Sequence, residues 1–242
     1  MSEVPAPVEL VAPAKLTVSL RVTGVRADGY HLIDAEMVSL DLVDVLSVDA
    51  AGDELMVETG GELRPGQPDD LVRRALESVG RSASVVLHKR IPAGAGLGGG
   101  SSDAAAVLRW AGVTSLDHAV RLGADVPFCL RGGRARVAGI GEVVEPLPFI
   151  PRTFTLWTPP IHCSTPVVYR TWDELGGPVG EAGNDLEPAA LAAFPALAEY
   201  RDELAELTGS RPRLAGSGST WFVEGAFPGG DRRVVRTQPA FV

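Results

Sequence analysis

Five glycines fall within seven residues, from Gly94 to Gly100, in the run GAGLGGG. Glycine at this density argues against a regular helix or a central strand, because an ordered glycine loses more conformational entropy than any other residue. Glycine also adopts positive φ freely and lets another group approach the main chain closely. We call residues 94–100 the glycine loop. The pattern that follows it predicts a helix from Asp103 to Trp110.

The glycine loop allows several interpretations. GAGLGG matches the G-x-G-x-x-G pattern of dinucleotide-binding folds, but it lies in mid-chain, and the acid about 20 residues on, Asp117, falls in a helical pattern. A P-loop is excluded because no lysine follows the glycines. A tight turn before a capped helix is the simplest alternative. We favour a phosphate-binding loop, since the first amides of a helix have no internal acceptor and carry partial positive charge. Ser101 or Ser102 is predicted to cap that helix.

The remaining pattern mixes long alternating strands with helices, which predicts an α+β fold. A proline-rich stretch from Pro146 to Pro160 places a domain boundary near Pro151. Strands are predicted within 9–24, 35–50, 53–60, 82–92, 134–147, 211–225 and 231–242, and helices within 69–80, 103–110, 115–123, 167–175 and 184–209.

Composition and charge limit the functional classes. A net charge of −9 opposes general nucleic-acid binding, which depends on neutralising phosphates. No stretch approaches the roughly 18 apolar residues that span a bilayer, and the N-terminal segment lacks the basic start of a signal peptide. A cytoplasmic location is therefore expected. Cys129 and Cys163 are expected to be small buried residues, and the four histidines have no zinc-ligand spacing.

Several motifs together establish a family resemblance. IPAGAGLGGGSSDAAAVL resembles the second motif of the GHMP kinases, which phosphorylate small molecules with ATP. Five other motifs occur in the order and approximate spacing of the 4-diphosphocytidyl-2-C-methyl-D-erythritol kinases of that family, from about Ala12 to Val223. They are PAK, DGYH, GADVPF, GNDLEPAAL and LAGSGSTWFV. The resemblance implies a GHMP kinase fold with two domains and the substrates in the cleft between them. The N-terminal domain, 1–150, would resemble ribosomal protein S5 domain 2 and carry the ATP loop and catalytic residues, and the C-terminal domain, 151–242, would be ferredoxin-like.

The resemblance also assigns roles to residues. Lys15 in PAK and Asp125 in GADVPF match the catalytic pair, in which the carboxylate accepts the hydroxyl proton and the ammonium stabilises charge near the transferring oxygen. Thr17, Tyr30 and His31 match substrate-binding positions, with Tyr30 stacking on cytosine and His31 bonding its edge. ATP would bind together with Mg²⁺, for which the sequence identifies no protein ligand. The residues expected to bind ATP are Pro92, Ala93, Gly94, Ala95, Gly96, Leu97, Gly98, Gly99, Gly100, Ser101 and Ser102.

The implied activity is transfer of the γ-phosphoryl group of ATP to the 2-hydroxyl of 4-diphosphocytidyl-2-C-methyl-D-erythritol, in the non-mevalonate route to isoprenoids. Thr17 and Asp70 stand where the family usually has asparagine, near the substrate and the adenine. Two alternatives therefore stay open: a kinase of the same fold acting on homoserine, mevalonate or a sugar, and a non-catalytic nucleotide-binding paralogue. A second glycine turn, 216–219, would lie beside the cleft or form a plain hairpin turn. The expected partner is a small molecule with a cytidine diphosphate group, bound by a monomer or homodimer that contacts neither nucleic acid nor membrane.

Overall fold

An extended sheet with helices packed against it forms the architecture, as seen in a computed structural model that describes residues 7–241. The strand pairs are antiparallel except for one parallel pair, and helices intervene throughout, which confirms the predicted α+β class. Within the described residues the strands are β1 (Val8–Val25), β2 (His31–Asp49), β3 (Leu55–Thr59), β4 (Glu62–Pro65), β5 (Ser84–Lys89), β6 (Arg134–Gly139), β7 (Val143–Pro146), β8 (Thr153–Trp157), β9 (Arg213–Leu214), β10 (Trp221–Glu224) and β11 (Arg233–Gln238). The helices are α1 (Leu71–Ser78), α2 (Gly99–Trp110), α3 (Leu116–Val120), α4 (Val126–Arg131), α5 (Thr165–Glu174), α6 (Glu187–Ala193) and α7 (Leu197–Thr208).

Strand β2 is the centre of the sheet. Strand β1 pairs with it along nearly its whole length, and β6, β11 and β5 follow one another along its other edge. The turn between β1 and β2 contains Asp28 and Gly29, as the Asp-Gly pair predicts. The register of β1 against β2 shifts between Pro13 and Lys15 and again between Thr17 and Ser19. Such irregularities re-aim side chains, and here they flank both Lys15 and Thr17.

The outer edge of β1 is covered by two other segments of the chain. The Lys15 amide donates to the Leu97 carbonyl of the glycine loop, 3.0 Å away, and the Leu20 amide donates to Gly183, 2.9 Å away. These bonds satisfy main-chain groups that an open edge strand would leave unpaired. They also place the glycine loop and the segment around Gly183 against the same strand.

Helix α2 is the buried helix behind the glycine loop. It begins at Gly99, four residues before the predicted start at Asp103, and the run from Ser102 to Leu108 is buried. Three consecutive alanines, 104–106, give the helix a narrow cross-section, so it packs closely against β1, α1 and α4. Helix α1 begins after its N-cap, Asp70, and ends before Gly80, close to its predicted limits.

The second half of the chain contributes β8, β9 and β10 together with helices α5 to α7. Strand β11 then returns and pairs with both β8 and β2, so the sheet is continuous across the two halves. Helices form on both sides of Pro195 and the 211–225 segment forms a hairpin, as predicted. The domain boundary near Pro151 stays a prediction.

Three elements were not expected from the sequence: β4, α4 and β8, of which β8 lies in the proline-rich stretch 146–160 that had no predicted strand. Strand β4 is exposed at all four residues and therefore has no alternating apolar pattern. Helix α4 is a short buried helix directly after Asp125, with Pro127 in its first turn. Its length is too small for a helical period to emerge. Strand β4 pairs with its sequence neighbour β3, whereas α4 depends on packing by the more distant α2.

The core consists of two clusters of buried apolar side chains. One of them includes Ala95 and Leu97 of the glycine loop and the nearby Ile91. Cys129 and Cys163 are buried and unpaired, which confirms the expectation for them. No helix among residues 7–241 combines the length and apolar character that crossing a bilayer requires. The expected absence of a signal peptide concerns mainly residues 1–6, which lie outside the described residues.

Candidate active site

A cavity of about 640 Å³ opens where the glycine loop, β1, the start of α4, α5 and the 216–217 turn meet. Lys15, Thr17, His31 and Asp125 line it together with every residue from Pro92 to Ser101. Most of the residues predicted for the site therefore come together, although they are spread over more than a hundred positions of the chain. Tyr30 and Ser102 do not line the cavity.

The glycine loop presents unpaired main-chain amides to the cavity. Within the described residues, no amide from Gly96 to Ser101 donates to a protein acceptor, and the first helical bond of α2 runs from Ser102 to Gly98. Gly98 is the N-cap of α2, with φ of 67°. The amides at the start of α2 lie at the positive end of its helix dipole, a position that can bind phosphate oxygens.

The predicted capping role of Ser101 or Ser102 is wrong. Both serines lie inside α2, and Gly98 caps the helix without a side-chain hydrogen bond. The Ser102 hydroxyl is buried and donates to the Pro13 carbonyl, 2.6 Å away, which ties α2 to β1. Ser101 alone of the two lines the cavity. The helix begins earlier than the pattern indicates because the ordered glycine loop supplies its first turn.

Close packing within the protein explains part of the glycine content. A Cβ at Gly98 would lie 2.7 Å from Lys15 Cγ, and one at Gly96 would clash with the Ala215 carbonyl oxygen. A Cβ at Gly94 would contact the His162 ring. The loop therefore needs glycine at these positions to fit against β1 and the 215–218 turn, as well as to present amides to a ligand.

Lys15 and Asp125 form an ion pair at the cavity wall, with Lys15 Nζ 3.2 Å from Asp125 Oδ2. The Lys15 ammonium is 6% exposed and the Asp125 carboxylate 31% exposed, so the carboxylate faces the opening. Asp125 occupies the N-cap position of α4, yet its side chain makes no capping bond. A structural acid at this position would ordinarily cap the helix. The carboxylate is instead directed toward Lys15 and the glycine loop.

The two departures from the family pattern have structural explanations. Thr17 is buried, and its Oγ1 accepts from Lys15 Nζ at 3.1 Å, so the hydroxyl helps to orient the ammonium. Asp70 lines the cavity and caps α1 by accepting from the Val72 amide at 2.8 Å. An aspartate serves this capping role as well as an asparagine does.

His31 lines the cavity next to α5. Its Nε2 is 2.8 Å from Asp173 Oδ1, and its ring packs on Tyr169 with centroids 4.6 Å apart. A carboxylate can only accept from Nε2, so in the neutral ring Nδ1 is left as an acceptor. Tyr30, 60% exposed in the neighbouring turn, stays a prediction as a stacking residue.

Sequence reasoning missed several residues of the cavity. Tyr169 lines it from α5, and burial raises the pKa of its hydroxyl. Lys89 and Asp103 line it from β5 and α2. A helix was predicted around Tyr169, but no pattern within the chain indicated which of its faces meets His31. The 216–219 turn does lie beside the cleft, since Gly216 and Ser217 line the cavity.

Several known proteins are similar to this chain in sequence. The model of the GHMP kinase N-terminal domain matches residues 70–133, which include the glycine loop and Asp125. A 4-diphosphocytidyl-2-C-methyl-D-erythritol kinase of Paracoccus denitrificans (strain Pd 1222) is 39% identical, covering 87% of this chain and 84% of its own. One of Cereibacter sphaeroides (strain ATCC 17025 / ATH 2.4.3) is 38% identical over 88% of each chain.

Solved structures are similar over nearly the whole chain. A crystal structure of 4-(cytidine 5'-diphospho)-2C-methyl-D-erythritol kinase has a TM-score of 0.76 and 33% identity, covering 95% of this chain and 99% of its own. A homoserine kinase from Cytophaga hutchinsonii has a TM-score of 0.65 at 17% identity, covering 99% and 97%. The second likeness supports the fold alone.

Proposed function

Because the chain belongs to the 4-diphosphocytidyl-2-C-methyl-D-erythritol kinase family of the GHMP kinases, we propose that it transfers the γ-phosphoryl group of ATP to the 2-hydroxyl of that cytidylyl alcohol. The observation that carries the proposal is the Lys15–Asp125 ion pair facing a loop of unpaired amides in one cavity. Phosphoryl transfer to an alcohol needs a phosphate cradle, a cation and a proton acceptor, and these three parts are present together.

In the proposed reaction Asp125 accepts the proton of the substrate hydroxyl, whose oxygen then attacks the γ-phosphorus as ADP leaves. The carboxylate is exposed enough to meet a hydroxyl, and its second oxygen is free of capping bonds. Lys15 stands beside the same carboxylate and would stabilise negative charge on the transferring group. Thr17 and the stem contact with Gly98 hold the ammonium in place.

ATP phosphates would bind along the amides of Gly96 to Ser101. Mg²⁺ belongs to the proposal because it neutralises phosphate charge, and it usually keeps several waters and binds through phosphates with one or two carboxylates. Among the described residues no group of three or more His, Cys, Asp or Glu side chains could hold a metal. The cation would be held mainly by ATP oxygens, and the Ser101 hydroxyl, which lines the cavity, could supply one protein ligand.

The cytidine would bind at the His31 end of the cavity. Cytosine presents a 4-amino donor, and His31 Nδ1 is the acceptor that Asp173 leaves available. Tyr169 supplies an aromatic face in the same region, and Tyr30 could close over the base from the exposed turn. A homoserine or mevalonate kinase has no need for an aromatic and imidazole pair at this position. A cytoplasmic location and a monomeric or homodimeric state are retained as predictions.

The test is an ATP-coupled assay on the purified chain with two acceptors, 4-diphosphocytidyl-2-C-methyl-D-erythritol and homoserine. We expect ADP release that depends on the cytidylyl alcohol, and a product with one additional phosphate by mass spectrometry. Turnover of homoserine but not of the cytidylyl alcohol would contradict the substrate assignment. ATP binding without turnover of either acceptor would favour the non-catalytic alternative.

A further inference from the structure

A buried ionic network lies directly beneath the glycine loop. Lys89 on β5 contacts two carboxylates, Asp103 of α2 at 2.7 Å and Asp44 of β2. The side chains of Asp44 and Asp103 are 0% and 3% exposed, and Lys89 is 16% exposed. Lys89 and Asp103 also line the candidate active site. The network therefore links the sheet to the nucleotide side of the cavity.

The network fixes the point at which the chain enters the loop. Asp44 Oδ1 accepts from the amides of Arg90 and Ile91, the latter at 2.8 Å. These amides follow β5 and directly precede Pro92. One carboxylate therefore determines the direction in which the main chain leaves the strand.

The same network fixes the point at which the chain leaves the loop. Lys89 reaches across to Asp103, which is in the first turns of α2. A Cβ at Gly99 would lie 3.1 Å from Lys89 Nζ, so the ammonium packs against the first residue of the helix. Both ends of the glycine loop are thus tied to one buried lysine.

The charges of the network do not stabilise the fold better than apolar side chains would. Two buried carboxylates share one ammonium, and Asp103 Oδ1 has no hydrogen-bond partner in the described residues. Burial raises the pKa of Asp103 to about 7, although Lys89 opposes that rise. Apolar side chains of similar volume commonly stabilise a fold better than a buried ion cluster does. A buried ion cluster that lies beside a cavity and adds no stability indicates a function.

We propose that Asp44, Lys89 and Asp103 are positioning residues that hold the glycine loop in its nucleotide-binding conformation. The proposal rests on the proposed kinase function. In it the network raises the affinity for ATP and takes no part in the chemical step. Preorganised amides bind phosphate without an ordering penalty, so a loosened loop would lose affinity. The Lys15–Asp125 pair shares no residue with the network, and the Lys15 side chain meets the glycine loop at Gly98, so we expect the network to affect the chemical step less than it affects ATP binding.

The test compares Lys89→Met, Asp103→Leu and Asp103→Asn in the full chain. Methionine and leucine remove the tie between β5 and α2 while keeping apolar volume, and asparagine keeps an oxygen that can accept from Lys89. We expect Lys89→Met and Asp103→Leu to raise KM for ATP about tenfold, with kcat and KM for the acceptor alcohol changed less than about threefold. Asp103→Asn is expected to restore KM for ATP to near the parent value.

Arg136→Met is the matched control, because Arg136 also joins two carboxylates, Asp34 and Glu145, but on an exposed face. It is expected to leave KM for ATP unchanged. A folded Lys89→Met or Asp103→Leu variant with the parent's KM for ATP would overturn the proposal, as would an equal KM for the leucine and asparagine variants. If Lys89→Met does not fold, the Asp103 pair decides. Inactivity of the parent enzyme would count against the kinase function instead.

Discussion

Single side chains in this cavity are oriented by neighbours that the sequence does not identify. Asp173 determines which nitrogen of His31 carries the proton, because a carboxylate must accept from Nε2. Thr17 accepts from Lys15 and thereby orients the ammonium toward Asp125. Asp173, which orients His31, had no predicted role. Thr17, which orients Lys15, was predicted to bind substrate instead. Specificity at this scale depends on these paired contacts.

Asp173→Leu tests the orientation of His31. Leucine removes the acceptor for Nε2–H, so the ring proton is no longer held on Nε2 and Nδ1 is no longer kept as the acceptor for the cytosine amino group. We expect KM for the cytidylyl alcohol to rise about tenfold, the loss of roughly one hydrogen bond, with KM for ATP unchanged. Steady-state kinetics with each substrate varied in turn measure both values.

Asp202→Leu is the control for that substitution, since Asp202 is an exposed acid that pairs with Arg201 on α7. It is expected to change neither KM. If Asp173→Leu leaves KM for the cytidylyl alcohol at the parent value, His31 does not bind the base through Nδ1. An equal rise in both KM values would indicate a general disturbance of the cavity.

At the scale of elements, the glycine loop and α2 act as one unit. The loop supplies the first turn of the helix, and its glycines allow it to pack on Lys15 and on the 215–218 turn. Two glycines with similar φ have very different surroundings. Gly98, at +67°, is packed against Lys15, whereas Gly80, at +62°, has no atom within 4 Å of an added Cβ.

A comparison of Gly98→Ala with Gly80→Ala therefore separates the effect of backbone strain from the effect of a displaced Lys15 side chain. Both place alanine at positive φ and are expected to lower stability by about 1 kcal/mol. Gly98→Ala additionally displaces the Lys15 stem, and we expect kcat/KM to fall about a hundredfold. Thermal unfolding and initial rates of the two variants provide the comparison. Equal activity of both variants would contradict a catalytic requirement for the fit of Lys15 against the loop.

The sequence predicted most elements because their apolar periods are strong. Strands β1 and β2, helix α1 and the helices around Pro195 lie close to their predicted positions. The start of α2 and the whole of α4 were not predicted, since a glycine loop and a distant segment complete them. Tyr169 and Asp103 were missed as cavity residues for the same reason. Which face of a helix meets a cavity is decided by packing that the local pattern does not contain.

At the scale of the whole molecule, long β1 and β2 and the return of β11 bring distant segments to one cavity. Lys15, His31, Asp125 and Gly216 come from four parts of the chain, and β11 joins β2 to β8 so that the second half of the chain lies beside the first. The motifs predicted that most of these residues share a site, because the family resemblance carries their order. The contacts that orient them emerge from the assembled fold.

The central claim is that Asp125 accepts the hydroxyl proton while the glycine loop binds ATP. The most direct measurement compares the parent with Asp125→Asn for phosphorylation of the cytidylyl alcohol, and measures ATP binding by calorimetry on the same samples. We predict that turnover falls at least about a hundredfold, as expected for loss of a base, while the Kd for ATP stays within about threefold. Turnover equal to that of the parent would contradict the claim.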